Sequence, residues 1–512
     1  MQLNEKIIVL DYGSQYNQLI VRKIRELGVY SELVNHKIKA QEIVKDKSII
    51  GIILSGGPNS VYDNNAPTID EEIFKLNIPI LGICYGMQLI NHKFGGKVES
   101  SKKKEYGNTK ITIDNSSLLT SNLKTNETVW MSHGDKLNTI ANGFKSIAKS
   151  EHTPYVIFEN KKQKIYGLQF HPEVAHTKNG NIFLKNFIYN ICKANGGWTM
   201  SSYVSIAIQE IRKQVGTENV LCALSGGVDS AVTAALINKA IGKQLTCLFV
   251  DTGLMRLNEA DMVTKVFKEN FDIKFIKVNA KKNFLTALKD VTSPERKRKI
   301  IGGLFIKEFD KNTKHLKNLK FLAQGTLYTD IIESGTNSAH TIKSHHNVGG
   351  LPKNLKFKLI EPLKCLFKDE VRKLGLELGL PYQMVYRQPF PGPGLAIRII
   401  GSITENKIRL VQETDKILRD EIINHGLDKS VWQYFTVLPG VKSVGVKGDQ
   451  RSYEDVIVIR AVSSIDGMTA DWAKIDYEVL SKISNRLVNE VKGINRVVYD
   501  ITSKPPGTIE WE

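Results

Sequence analysis

Three stretches of this chain put reactive residue types at the ends of apolar runs. Gly82-Ile83-Cys84-Tyr85-Gly86 follows the strand-like IPILGI and precedes MQLINHKF, which carries a helical pattern. Glycines on both sides of the cysteine permit a sharp strand-to-helix turn, the thiol counterpart of a nucleophile elbow. Such a turn holds the sulfur above a sheet edge, at a helix N-terminus that favours the thiolate. Gln169-Phe170-His171-Pro172-Glu173 ends a further strand pattern, IYGLQF. Cys84, His171 and Glu173 are the residue types of a nucleophile, a base and a group that orients the base. Ser55-Gly56-Gly57-Pro58 follows GIIL, and the backbone N–H groups of Gly57 and Tyr85 are candidates for the oxyanion hole that acyl transfer requires.

The third stretch suits different chemistry. In LCALSGGVDS, residues 221–230, an apolar run ends in a glycine turn, and the helix-patterned AVTAALINKAIG follows at once. Unpaired N–H groups at a helix start make an anion site, and Gly226 and Gly227 let backbone approach an oxyanion closely. Ser225 and Ser230 add hydroxyl donors, Val228 lies between them in the turn, and Asp229 can serve a metal counter-ion. No lysine follows in the position that a Walker A loop demands.

These sites need sheets to hold them. KIIVLDYG, QLIVRKIRELG, YSELV, GIILSGGP and IPILGICYG alternate short apolar runs with helical patterns, the rhythm of βαβ units and a helix-covered parallel sheet. The rhythm breaks at CKANGGWTMSSYV, then resumes: LTCLFVDTGLMR ends at Val250, Asp251 and Leu254, and FLAQGTLYTD ends a strand at Gln324-Gly325. The carboxyl ends of parallel strands lie on one rim, where ligands bind. YRQPFPGPGLAIRIIG, rich in Pro and Gly, marks another junction, and the remaining strands and helices suggest a small α+β domain. The expected fold is α/β: two successive doubly wound parallel-sheet domains, 5–196 and 197–388, then a small α+β domain at 389–512. An apolar sheet face with few helices to cover it invites a second copy of the chain.

Composition narrows the class. The chain has 512 residues, 41% hydrophobic and 24% charged, and no apolar run reaches the ~20 residues of a membrane helix. Its start has no signal-peptide pattern, and Cys84, Cys192, Cys222, Cys247 and Cys365 are scattered without metal spacing, which suits a reducing cytoplasm. The formal net charge of +18 suits nucleic acid, polyanionic small substrates or a lysine-rich surface. Lysines are dispersed apart from KKKEYG (102–107) and ERKRK (295–299), and no nucleic-acid motif accompanies them, so no nucleic-acid partner is expected. ERKRKIIGGLFIKEF reads as a basic lid with Gly302-Gly303 as hinge, Arg298 and Lys299 facing phosphate. Lys343, in IKSHHNVGGLP, is a further phosphate candidate, beside Lys364 and Lys368. The adjacent His345 and His346 point to opposite faces of a strand and do not make a zinc site.

The residues carry resemblances. With Cys84, His171 and Glu173 in place, the first third resembles a class I glutamine amidotransferase domain, which hydrolyses L-glutamine to glutamate and ammonia. The resemblance implies a glutamyl thioester on Cys84, and glutamine held by Gln88 and by the Trp130–Asp135 loop with Ser132, His133, Gly134 and Asp135. SGGVDS resembles the pyrophosphate loop of ATP pyrophosphatases, which cleave ATP between the α and β phosphates. That likeness implies ATP on Ser225 to Ser230, adenine near Val250, Asp251 and Leu254, and Mg²⁺ linked to Asp229. Residue chemistry leaves the acceptor open among XMP, UTP and deamido-NAD. QPFPGPGLAIR, DGMTADW and KPPGTIEWE resemble the glutamine-hydrolysing GMP synthase family. By that resemblance Pro391, Gly392, Gly394, Arg398, Lys504, Thr508, Ile509 and Glu510 bind xanthosine monophosphate (XMP), and the last domain forms a homodimer.

Overall fold

A computed structural model of the chain describes residues 5–316, 318–335, 357–464 and 469–512. It divides into two compact units, 1–203 and 204–512.

The first unit is built on a nine-stranded sheet. Its parallel half orders β2 (Tyr30–Asn35), β1 (Lys6–Asp11), β3 (Ile49–Leu54), β4 (Ile80–Ile83) and β9 (Ile165–Leu168). β4 and β9 are buried along their whole length, as expected of central strands covered on both faces. Beyond β9 the sheet turns antiparallel through β8 (Ile157–Asn160), β7 (Lys145–Lys149), β5 (Lys97–Ile113) and β6 (Asn126–Thr139). The sequence reading anticipated only the parallel half. β5 includes KKKEYG, so its lysines masked a strand, and Trp130–Asp135 belongs to β6 instead of a loop.

The second unit holds two sheets. The first is parallel, ordered β12 (Lys274–Asn279), β11 (Leu245–Asp251), β10 (Asn219–Leu224), β13 (Leu319–Ala323) and β14 (Lys358–Ile360). This is a doubly wound order whose direction of growth reverses between β10 and β13, where a crevice opens at the strand ends. The other sheet centres on the long β17 (Gln450–Ser463). It pairs antiparallel with β15 (Gln433–Val437), β16 (Lys442–Lys447) and the short β18 (Asp471–Trp472), and parallel with β19 (Ile494–Asp500). One buried cluster runs from Leu221 and Leu248 of the parallel sheet to Ile457, Ile459 and Ile494 of the other. Helices Glu405–Asn424 and Tyr477–Glu490 contribute Ile408, Val411, Leu418, Ile483 and Leu487 to it. Val444, Val446, Tyr453 and Val498, on β16, β17 and β19, are exposed.

Candidate active sites

Cys84 lies between β4 and the helix Tyr85–Lys93 at φ 50°, ψ −105°, a region that costs a non-glycine residue about 1–3 kcal/mol. The neighbours enforce it. A methyl group at Gly86 would collide with the Leu54 carbonyl, and one at Gly82 would lie 2.6 Å from the Met87 nitrogen. The Cys84 N–H donates to Leu168 O at 2.7 Å, tying the elbow to β9. β9 leads directly to His171, whose Nδ1 meets Glu173 Oε1 at 2.7 Å. Both side chains are buried. Burial works to lower the His171 pKa, but the Glu173 charge and hydrogen bonds to Cys84 and Glu173 outweigh it and push it up to about 11. These surroundings favour the imidazolium form. Its main chain is fixed as well: His171 N donates to Trp130 O at 3.1 Å, and Thr177 Oγ1 donates to His171 O at 2.6 Å.

Gly57 packs against this elbow, since a methyl group there would lie 2.6 Å from Tyr12 O and 3.4 Å from the Tyr85 ring. Among the described residues, neither the Gly57 nor the Tyr85 N–H has a hydrogen-bond acceptor. Tyr16 meets the His171 ring edge-on, with centroids 5.2 Å apart. The neighbouring wall comes from β6. Gln88 Nε2 donates to Asp135 O at 3.0 Å, and Cys84 Sγ lies 3.7 Å from Ser132 O. The Asp135 carboxylate accepts from the hydroxyls of Ser60 and Tyr62, which follow the Gly-Gly-Pro turn. Gly134 lies near Tyr106. His133 is buried away from the thiol: Nδ1 meets Asp135 O at 2.8 Å, and Nε2 lies 3.3 Å from Glu105 Oε2, off the line of a hydrogen bond. Burial works to raise the Glu105 pKa, yet His133, Thr153 and Ser150 outweigh it and hold it down to about 2.

Around the second glycine turn, the Ser225 hydroxyl accepts from Gly227 N at 3.1 Å and lies 3.1 Å from Ser230 Oγ. These bonds curl the loop against the helix Val228–Ile241, and Gly226 takes φ +76°. Gln324-Gly325, at the end of β13, faces it across the switch point: a methyl group at Gly325 would lie 3.0 Å from Asp229 Cβ. The Asp229 carboxylate receives both Lys368 Nζ contacts, at 2.7 and 2.8 Å. Val250 and Leu254 are buried, and Asp251 Oδ1 caps Gly253 N at 3.0 Å. Lys343 lies outside the described residues.

Leu254 joins this rim to the Pro-Gly loop, because its carbonyl accepts from Leu395 N at 2.8 Å and lies against Gly394. Pro391 O accepts from Gly394 N at 2.9 Å, closing the turn around Gly392. Arg398 is fully buried and clamps Glu510, with Nε and Nη2 donating at 3.1 and 2.9 Å. Arg460, also fully buried, donates to Thr502 O, Thr508 O and Ile509 O. Lys504 pairs its backbone with Ala470. Arg398 thus faces the tail from inside.

The basic lid needs correction. The helix Pro294–Thr313 runs unbroken through Gly302-Gly303. Lys297 is buried and donates to Ala396 O, Ile399 O and Glu512, while Arg298 Nη2 donates to Glu512 O at 2.6 Å. Lys297 and Arg298 dock the tail, while Arg296 and Lys299 are exposed. Sequence reasoning missed Glu105, Ser60, Tyr62 and Arg460, and it offered Lys368 for phosphate where the structure pairs it with Asp229. Only Arg460 left a clear signal, a charge inside the apolar run VIVIRAV. Among the described residues no three His, Cys, Asp or Glu side chains cluster as a metal cage.

The same organisation recurs in known families. Residues 8–191 match the class-I glutamine amidotransferase family, 200–305 the NAD synthase family, and 420–511 the GMP synthase C terminal domain. A GMP synthase [glutamine-hydrolyzing] from Bacillus subtilis is 60% identical over 510 residues, covering 100% of this chain and 99% of its own. One from Staphylococcus epidermidis is 59% identical over 508 residues, covering 99% of each chain. With its thiol elbow, its pyrophosphate-type loop and its clamped tail all inside these matches, this chain belongs to the glutamine-hydrolysing GMP synthase family.

Proposed function

We infer that this chain converts XMP to GMP, using glutamine as nitrogen donor and ATP as the activating substrate. Glutamine hydrolysis supplies ammonia; ATP adenylylates the C2 oxygen of XMP; ammonia displaces AMP. The products are GMP, AMP, pyrophosphate and glutamate. The observation that carries this reading is full-length identity to two-activity relatives, with a thiol elbow in one unit and a nucleotide-type switch point in the other.

In the thiol site, Cys84 attacks the side-chain amide carbon of glutamine while the N–H groups of Gly57 and Tyr85 receive the developing oxyanion. The His171 imidazolium gives its proton to the departing ammonia, then takes one from the water that hydrolyses the thioester. Glu173 holds that ring and its charge. Asp135, oriented by Ser60 and Tyr62, receives the α-ammonium of glutamine, and Gln88 fixes the strand that carries it.

In the second unit, Ser225 to Ser230 cradle the pyrophosphate half of ATP, while Val250, Asp251, Leu254, Gln324 and Gly325 line the nucleotide rim. The acceptor XMP lies against Pro391, Gly392 and Gly394, with Lys504, Thr508, Ile509 and Glu510 closing over it; Arg398 fixes Glu510. Mg²⁺ usually binds through one or two carboxylates plus phosphates, so Asp229, beside the loop, suits it, with Lys368 as the present counter-charge. Bound there, Mg²⁺ would neutralise charge on the leaving pyrophosphate. Lys299 and Lys343 remain candidates for phosphate. The exposed Val444, Val446, Tyr453 and Val498 suit a homodimer, and 389–512 is the part that would form it. Five free thiols suit the cytoplasm.

AMP release from ATP, measured with XMP and either glutamine or ammonium, tests the reading. AMP should appear only with XMP and a nitrogen source. Cys84→Ala should abolish the glutamine-dependent rate and spare the ammonium-dependent one. If XMP evokes no AMP, the acceptor assignment falls.

A further inference from the structure

Asp415, on the helix Glu405–Asn424, has no exposed surface and faces three guanidinium groups. Arg419 Nε donates to it at 2.8 Å, whereas Arg256 Nε and Arg398 Nη1 stand 3.7 Å away. Asp415 Oδ1, Arg256 Nε and Arg398 Nη1 are buried with no hydrogen-bond partner among the described residues. Buried polar atoms are normally paired. Arg398 Nη1 faces the unpaired Oδ1, and Arg256 Nε faces the Oδ2 that Arg419 already holds, so three unpaired atoms around one carboxylate mark an under-satisfied joint.

The arms lead to both halves of the synthetase site. Arg398 holds Glu510, which also accepts from Gln433 Nε2 at 2.7 Å. Arg256 lies 4.0 Å from Glu259, which in turn accepts from Arg387. Arg387 Nη1 would lie 3.8 Å from a methyl group at Gly226 of the glycine turn. Phe390 of the Pro-Gly loop lies under both Arg256 and Arg398, at 4.3 and 5.2 Å from its ring centre. Among the described residues, arginines 256, 387, 398 and 419 pair with the carboxylates of 259, 415 and 510, so this chain of charges carries a positive excess that an anionic substrate would offset.

We propose that Asp415 is a positioning residue for the adenylylation half-reaction: it sets Arg398 and Arg256, and through them ties the XMP pocket to the pyrophosphate loop. This rests on the reading of Pro391, Gly392, Gly394 and the tail as the acceptor pocket. A carboxylate that merely filled the core would change stability and leave substrate affinities alone.

The test uses the full chain with ammonium as nitrogen donor, so the thiol site does not enter. Wild-type enzyme is assayed first; absence of XMP-dependent AMP release there refutes the acceptor reading and not the role of Asp415. Asp415→Asn, folded by circular dichroism, should raise the KM for XMP at least tenfold while kcat changes less than threefold. Glu259→Gln, on the pyrophosphate-loop arm, should raise the KM for XMP at least threefold as well. An unchanged KM for XMP in folded Asp415→Asn overturns the proposal. Should that variant not fold, Glu259→Gln decides: a raised KM for XMP supports the link, and a change confined to ATP, or none, overturns it.

Discussion

Replacing Glu173 by glutamine tests the thiol site most directly. The carboxylate has no exposed surface and accepts from His171 Nδ1 at 2.7 Å, so the substitution keeps the shape and removes one charge from a buried pair. A hydrogen bond to a charged group contributes about 1.5–3 kcal/mol, and each ~1.4 kcal/mol on a barrier is a factor of about ten. The glutaminase kcat should therefore fall roughly 10- to 150-fold. The pH profile supplies an independent readout. Burial pulls His171 below its ordinary 6.5, but Glu173 and the contact with Cys84 outweigh it and raise it to about 11. A histidine raised on folding adds stability that is complete below about 6.5 and lost as pH rises through about 11. Without Glu173 the imidazolium loses its proton earlier, and the alkaline limb of activity moves to lower pH. Glutamate release from glutamine is followed across the pH range, with ammonium-dependent GMP formation as the control. An unchanged kcat with an unchanged alkaline limb refutes the role of Glu173. Loss of the ammonium-dependent rate in a folded variant refutes the separation of the two activities.

Three further outcomes are expected. Gly86→Ala drives a methyl group into the Leu54 carbonyl, and overpacking of this kind costs roughly 1–3 kcal/mol, so the melting temperature should drop and glutaminase activity with it. Asp229→Asn should abolish AMP formation with either nitrogen source and leave glutaminase intact; persistent AMP release would remove Asp229 from the ATP site. Val446→Asp combined with Tyr453→Asp places charges on the exposed sheet face, and sedimentation should show monomer where the parent chain shows dimer. A monomeric parent would discard the homodimer.

What could be read in advance divides along physical lines. The parallel strands announce themselves because burial on both faces forces continuous apolar runs such as KIIVLD and LTCLFVD, and their ends carried Cys84, His171 and the Ser225–Ser230 turn. β5 and β6 gave no such run, since polar alternation and a lysine cluster resemble a solvated loop. Lys297 shows why a basic cluster misleads: charge suggests exposure, whereas three oxygen acceptors from distant segments allow it to be buried. Asp415 was invisible for a related reason. Nothing local in ETDKILRDE separates a buried carboxylate from the surface charges beside it: its pair with Arg419 reads as an ordinary i,i+4 surface pair, and the other two guanidinium groups come from 256 and 398.

Placing Trp130–Asp135 on a paired strand also limits how this site can change by insertion or deletion. Opposite residues such as Glu105 and His133, or Gly107 and Met131, are locked in register. Losing one residue between Val129 and Asp135 would exchange the two faces of the strand, taking Ser132 from beside Cys84 and Asp135 from its contacts with Gln88, Ser60 and Tyr62 together. The register slips between Ser100 and Glu105, however, so length variation has somewhere to be absorbed on β5. Scanning single-residue deletions along the two strands should thus find tolerance at 101–104 and none at 130–135, although both stretches belong to the same ribbon.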